Sequence, residues 1–193
     1  MWIAITREVS PVLGDCELSY VPREAIDVAR ARTQHRDYQR TLETLGCRLL
    51  TLPAEAGLPD SVFVEDVAIV LDEVAVLTRP GASSRRAEVA SVAEVLRRYR
   101  PVLAIDAPGT LDGGDVLRVG RTLYVGESAR SNAEGIAQLR ELLAGHDYAV
   151  LGVPTRGCLH LKSAVTQLAD DTLLLQPAWV DRQRFAGFRV IEV

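Results

Sequence analysis

The stretch LDGGDVLRV, residues 111–119, sets two aspartates and a glycine pair ahead of an alternating apolar run, and altered versions of it stand on either side. FVEDVAIV (63–70) lies upstream and LHLKSAVTQL (159–168) downstream. Each is followed by a second apolar run: in chain order VAVLTRP, RTLYVGES and DTLLLQPAW. The three pairs read as β-hairpins turned at Asp72-Glu73, Gly120-Arg121 and Asp170-Asp171, where turn-forming residues interrupt the alternation. Overlaying them aligns Asp66 with Asp115 and Ser163, in steps of 49 and 48 residues. Three positions earlier stand Phe63, Asp112 and His160.

Helical segments with recognisable ends separate the hairpins. The first is expected from about Pro22 to Leu45, with proline in the first turn and Gly46 as terminator. The second covers residues 83–99 and spaces Val92, Val95, Leu96 and Tyr99 along one face. The third opens on Ser131 and Glu134, a capping-box pair, carries Ile136, Leu139 and Leu143, and closes at Gly145. A short apolar strand follows each: CRLLTLP, PVLAIDAP and YAVLGVP. The predicted unit is therefore helix, strand, hairpin, and a period in this range indicates modules repeated around an axis or along a stack. FRVIEV, at residues 188–193, matches the opening strand of one more unit, so the chain is expected to be a single domain over 1–193 that is incomplete at its C-terminus.

Composition narrows the function. A hydrophobic content of 48% over 193 residues supports a sizeable core. With 26 acidic against 22 basic side chains, no positive field exists to hold nucleic acid or an anionic membrane. Three cysteines without paired spacing fit neither a disulfide framework nor a zinc site, and no metal or cofactor is expected. No apolar run nears the ~18 residues of a spanning helix, and the start lacks a signal-peptide pattern, so the chain reads as cytoplasmic. Oligomeric state is left open, with a homodimer allowed.

Repetition turns into a site if equivalent positions face one axis. Phe63, Asp112 and His160 then converge with Glu65 and Asp66 close by, giving an acidic pocket with one titratable proton carrier. Carboxylates in such a pocket suit a planar guanidinium, whose N–H groups fit them in pairs. Each aspartate alone reads equally as turn chemistry, and His160 between two leucines reads equally as a core histidine. Alternation along a strand would place His160 on one face with Cys158 and Lys162. Neighbours two apart on a strand are roughly 6.5–7 Å apart, so Cys158 is expected to be a buried filler rather than a nucleophile.

FVEDVAIV, TRPGASSRRAEV, PGTLDGGDVL, YVGESARSNAEG and LHLKSAV together resemble the dimethylarginine dimethylaminohydrolases, guanidine-modifying enzymes of the pentein superfamily. The resemblance covers nearly the whole chain. It implies an α/β fold, a propeller of five ββαβ modules of which about four are present, and hydrolysis of Nω-methylated arginine to citrulline and a methylamine through a cysteine-bound thiouronium. It makes His160 the general acid and base, with Asp112 beside it, and Asp66 and Asp112 the guanidinium acceptors. Arg85 and Arg130 match residues that grip the substrate α-carboxylate. Leu18, Asp60 and Glu65 match further substrate contacts, and Phe63 would wall the pocket. Position 112 is commonly glutamate in the family the chain resembles, and no residue matches the family's nucleophilic cysteine. The 193 residues alone are therefore expected to be inactive. Alternatives in view are an arginine deiminase, or a pentein-fold protein that binds without catalysis.

Overall fold

The computed structural model describes residues 1–193 and divides into two compact units, Met1–Val64 and Glu65–Val193. In the first, strands β1 (Ile3–Arg7) and β2 (Arg48–Leu52) pair in parallel, Ile3 opposite Arg48. Helix α1 (Val28–Thr44) connects them. It begins six residues later than the sequence led us to expect, because Asp27 accepts the amide N–H of Arg30 and caps the helix there. At the other end Gly46 takes φ +87°, the left-handed conformation that lets the chain leave the helix. The seam between helix and strands is partly polar: buried Gln39 donates Nε2–H to Thr6 Oγ1 at 2.9 Å and to Thr51 Oγ1 at 3.3 Å.

The second unit consists of three modules of one design. Hairpin β3 (Ala68–Val70) and β4 (Ala75–Leu77) is completed by β5 (Val102–Ala104), which pairs in parallel with β4. Between β4 and β5 run a 3-10 turn, Ser83–Glu88, and helix α2, Val89–Leu96. Strands β6 (Val116–Val119), β7 (Thr122–Glu127) and β8 (Ala149–Pro154) repeat the plan around helix α3, Ala133–Leu142. So do β9 (Val165–Ala169), β10 (Thr172–Leu175) and β11 (Arg189–Glu192), with a 3-10 turn at Arg182–Phe185 in place of the helix.

This arrangement changes the frame of the repeat. The strand after each helix belongs to the hairpin before it, so the module reads hairpin, helix, strand. FRVIEV is accordingly not an unpaired opening strand: Thr172 lies opposite Arg189 and Leu175 opposite Glu192 in a parallel pair. The capping of α3 also differs from expectation. Asn132, not Ser131, is the N-cap and accepts the N–H of Gly135 at 2.8 Å, while Ser131 is committed elsewhere.

Pleating places the middle module between two cores, since alternate residues of a strand face opposite ways. Val116, Leu123, Val125 and Val150 enter a cluster with Ile69, Val76, Ile136 and Leu139. Leu117, Tyr124 and Val153 face the other way, against Leu161, Val165, Leu173 and Phe185. No helix is long and apolar enough to cross a membrane.

Candidate active site

A short helical turn precedes the first strand of each hairpin: 3-10 turns at Val64–Val67 and Gly113–Asp115, and a single α-turn, α4, at Leu161–Ala164. Asp112 and His160 are the N-caps of the second and third, both in extended conformation. The strand face expected to carry Cys158, His160 and Lys162 therefore does not exist. His160 stands at a helix start, Lys162 lies within the turn and ion-pairs with exposed Glu65, and Cys158 is buried among Leu161, Val165 and Leu173. Equivalent caps bring equivalent side chains together: His160 Nε2 and Asp112 Oδ2 are 3.1 Å apart across 48 residues of sequence.

Asp112 is fully buried. Its second oxygen, Oδ1, accepts the N–H of Gly81 at 2.9 Å, and Arg130 Nη1 approaches Oδ2 at 3.9 Å. Asp66 accepts the N–H of Gly114 through Oδ1 at 2.9 Å and Arg85 Nη1 through Oδ2 at 2.6 Å. The remaining face of the Arg85 guanidinium forks onto Glu88, Nε to Oε1 at 3.1 Å and Nη2 to Oε2 at 2.9 Å. The carboxylates of Asp66, Glu88, Asp112 and Asp115 are thus buried with the guanidiniums of Arg85 and Arg130 and with His160, an arrangement that stays negative even when the imidazole is protonated. Buried charges persist only when paired in this way.

Two glycines make the approach possible. A Cβ on Gly114 would stand 2.5 Å from His160 Nδ1 and 2.7 Å from Asp66 Oδ1, and one on Gly81 would stand 2.5 Å from the Arg130 backbone. Any larger residue at 114 would part the imidazole from the carboxylate of the preceding module.

Burial pushes the His160 pKa down. The hydrogen bond to Asp112 and the charges of Asp66, Asp115 and Asp112 outweigh it, leaving the imidazole above its usual value. Arg85 is held more firmly protonated than a free guanidinium despite its burial, through Glu88 and Asp66. One ligand atom each from Asp66, Asp112 and His160 fall within 4.8 Å of one another. With Arg85 on one carboxylate and Arg130 beside the other, these oxygens already have countercharge, and the geometry favours a ligand that offers N–H donors.

The remaining predicted positions lie in the first unit. Asp60 is buried and accepts the N–H of Glu17 with both oxygens, at 3.2 and 3.1 Å, which fixes the segment carrying Leu18. Arg23 holds the same segment by donating to the carbonyls of Gly14 and Cys16. Leu18 and Phe63 are exposed. Burial, then the charge of Asp115, raises the pKa of Cys158, and burial and Asp60 raise that of Cys16 over the opposing effect of Arg23. Sequence reasoning gave Glu88 and Ser128 no role, took Ser131 for a helix cap, and passed over Asp115, although the repeat had aligned it with Asp66.

These features recur in known proteins. The family described as "N,N dimethylarginine dimethylhydrolase, eukaryotic" matches residues 20–183. The N(G),N(G)-dimethylarginine dimethylaminohydrolase of Streptomyces coelicolor is 45% identical over 172 residues, covering 89% of this chain and 67% of that protein. Its namesake from Pseudomonas aeruginosa is 40% identical over 169 residues, covering 86% and 66%. A solved structure of the Pseudomonas aeruginosa enzyme, a cysteine-to-serine variant complexed with citrulline, superposes with a TM-score of 0.94 at 38% identity, over 100% of this chain and 76% of that one. The fold is thus the mixed α/β fold of the pentein proteins. Within it, the chain belongs to the dimethylarginine dimethylaminohydrolase family, spanning about two thirds of the length of these two relatives.

Proposed function

We propose that this chain supplies the substrate cradle and the acid–base residue of a dimethylarginine hydrolase, which converts Nω-methylated arginine to citrulline and a methylamine. The observation that carries the reading is the His160–Asp112 pair, with Asp66 held beside it by Gly114 and Arg85, in a chain of this family. Carboxylate oxygens have two lone pairs each, so Asp66 and Asp112 keep acceptor capacity for guanidinium N–H groups after their present bonds are counted. His160 protonates the departing amine as a thiolate displaces it from the guanidinium carbon. The neutral imidazole then takes a proton from water, which attacks the thiouronium, restores the thiolate and releases citrulline. Arg130 and Arg85 are assigned to the substrate α-carboxylate, Leu18, Asp60 and Glu65 to further substrate contacts, and Phe63 to the pocket wall.

The nucleophile is assigned outside residues 1–193. A nucleophilic thiol needs a lowered pKa, and both Cys16 and Cys158 are raised. The three modules of residues 65–193 are read as blades of the α/β propeller that the family resemblance implies.

The test is citrulline release from asymmetric dimethylarginine by the gene product that contains this sequence. His160→Gly is expected to lower turnover by at least ~10²-fold, the usual size of a general acid–base contribution. Undiminished turnover in that variant would remove His160 from its role, and no citrulline from the unaltered protein would remove the reaction.

A further inference from the structure

Asp115 has no part in the chemistry above, yet it is fully buried and three hydrogen bonds converge on it. Leu161 donates its N–H to Oδ1 at 2.9 Å, and the hydroxyls of Ser128 and Ser131 each donate to Oδ2 at 2.7 Å. Each donor leads to a different part of the site. Ser131 Oγ accepts the N–H of Asp112 at 3.0 Å. Ser128 Oγ accepts the N–H of Arg130 at 3.0 Å and of Ser131 at 3.2 Å. Leu161 is the residue after His160, and Gly126 leaves room for the carboxylate, since a Cβ there would lie 2.6 Å from Oδ1.

We propose that Asp115 is a positioning residue for this site: one ionised carboxylate fixes the backbone at Asp112, Arg130 and His160 together, and sets a fixed negative charge near the imidazole without touching substrate. The directions of the bonds suit the ionised form. An ionised carboxylate accepts only, and here every partner donates. Ser128 Oγ already accepts two backbone N–H groups, so its own hydrogen goes to Oδ2, and Ser131 Oγ accepts the Asp112 N–H while donating to the same oxygen. Burial raises the pKa of Asp115 on balance, against the opposing pull of the two serines, the charge of His160 and the Leu161 amide. The carboxylates facing His160 are Asp112, Asp66 and Asp115. Arg85 is paired with Asp66, Arg130 stands beside Asp112, and Lys162 is engaged by Glu65.

The inference rests on the reading of His160 and Asp112 as site residues, but its test needs no turnover. In the 193-residue chain, the His160 imidazole is followed by NMR titration, resolved from His35 and His146, for the unaltered protein and for Asp115→Asn. The variant is expected to bind the His160 proton about tenfold more weakly, a midpoint about one unit lower, and to exchange the Leu161 amide faster while the melting transition stays cooperative. An unmoved His160 midpoint in the folded variant overturns the proposal. Should Asp115→Asn fail to fold, Ser131→Ala decides, because it keeps the charge and cuts only the arm to Asp112. Asp112 amide exchange must then rise at least ~10-fold with Leu161 unaffected, and an unchanged Asp112 amide refutes the tethering. Where turnover is measured, the pH–rate limb assigned to His160 moves down with the midpoint in Asp115→Asn, a shift that a purely structural residue would not produce. Absence of dimethylarginine hydrolysis would remove the proposed reaction and leave these measurements standing.

Discussion

His160 Nε2 lies 3.1 Å from Asp112 Oδ2 although the two residues are separated by 48 positions, each capping the helical turn of its own module. The folded imidazole holds its proton more tightly than the unfolded chain does, since Asp112, Asp66 and Asp115 together exceed the cost of burial. Stability from this source is complete below the unfolded value of about 6.5 and is lost as pH rises through the higher folded value. Each unit of elevation is worth about 1.4 kcal/mol. Urea midpoints of the native chain should therefore fall more steeply above neutral pH than those of His160→Asn. Parallel profiles would mean that the imidazole gains nothing from its partners.

Gly114 separates the imidazole from Asp66. Alanine there would place a methyl 2.5 Å from the ring nitrogen and 2.7 Å from the carboxylate, and overpacking of this kind costs about 1–3 kcal/mol. Gly57 has nothing within 4 Å of the corresponding position. Gly57→Ala should leave stability unchanged or raise it by about 0.4–1 kcal/mol, through reduced freedom of the unfolded chain. Urea denaturation of the two variants checks the contrast.

The sequence showed the hairpins, because Ala68–Val70, Val116–Val119 and Val165–Ala169 alternate or run apolar up to clear turn residues, and it showed the 48-residue register that makes Asp112 and His160 meet. What it hid follows from non-local pairing. Whether PVLAIDAP or FRVIEV joins the hairpin before it or after it depends on parallel ladders that leave no local mark, which is why the module frame differs from the expected one. The helical turns at 113–115 and 161–164 were read as strand because their apolar residues sit next to genuine strand. Ser131 has the composition of a helix cap, yet Asp112 and Asp115 claim its hydroxyl, and the cap passes to Asn132. The fork of Arg85 on Glu88 spans only three residues, but nothing in SSRRAE distinguishes it from a solvated surface turn.

That fork gives a further prediction. Glu88 is 2% exposed and takes two of the Arg85 donors, so Glu88→Ala removes two bonds from a buried guanidinium that keeps its bond to Asp66. Removing one member of a buried pair costs about 3–5 kcal/mol, and the Asp66 bond should keep the loss near the lower end. Glu88→Gln retains one acceptor oxygen and should lose less. Equal destabilisation by the two variants, measured by urea unfolding, would show that the charge of Glu88, and not its shape, is what Arg85 requires.

The cysteines should differ in access. Cys16 and Cys158 are buried with raised pKa values, whereas Cys47 is partly exposed. Under native conditions at pH 7.5 to 8, a range near the usual thiol pKa of about 8.5, iodoacetamide should label Cys47 first, with Cys16 and Cys158 modified only on unfolding. Mass spectrometry of tryptic peptides reads the order. Rapid native labelling of Cys158 would reopen it as a nucleophile beside His160.

Arg85 and Arg130 should not respond alike to truncation. Arg85 balances Asp66 and Glu88, so Arg85→Ala strands two carboxylates and confounds ligand binding with stability. Arg130 Nη1 stands 3.9 Å from Asp112 Oδ2, and Arg130→Ala is the variant chosen to probe α-carboxylate recognition. Loss of a hydrogen-bonded charged partner is worth about 1.5–3 kcal/mol, which corresponds to roughly 10- to 150-fold in dissociation constant. Calorimetric titration with dimethylarginine should show that loss in Arg130→Ala, while a simple alkylguanidine without the carboxylate should bind the variant and the unaltered protein alike. If both ligands weaken equally, Arg130 acts through Asp112 and the guanidinium end of the site, and its assignment to the carboxylate falls.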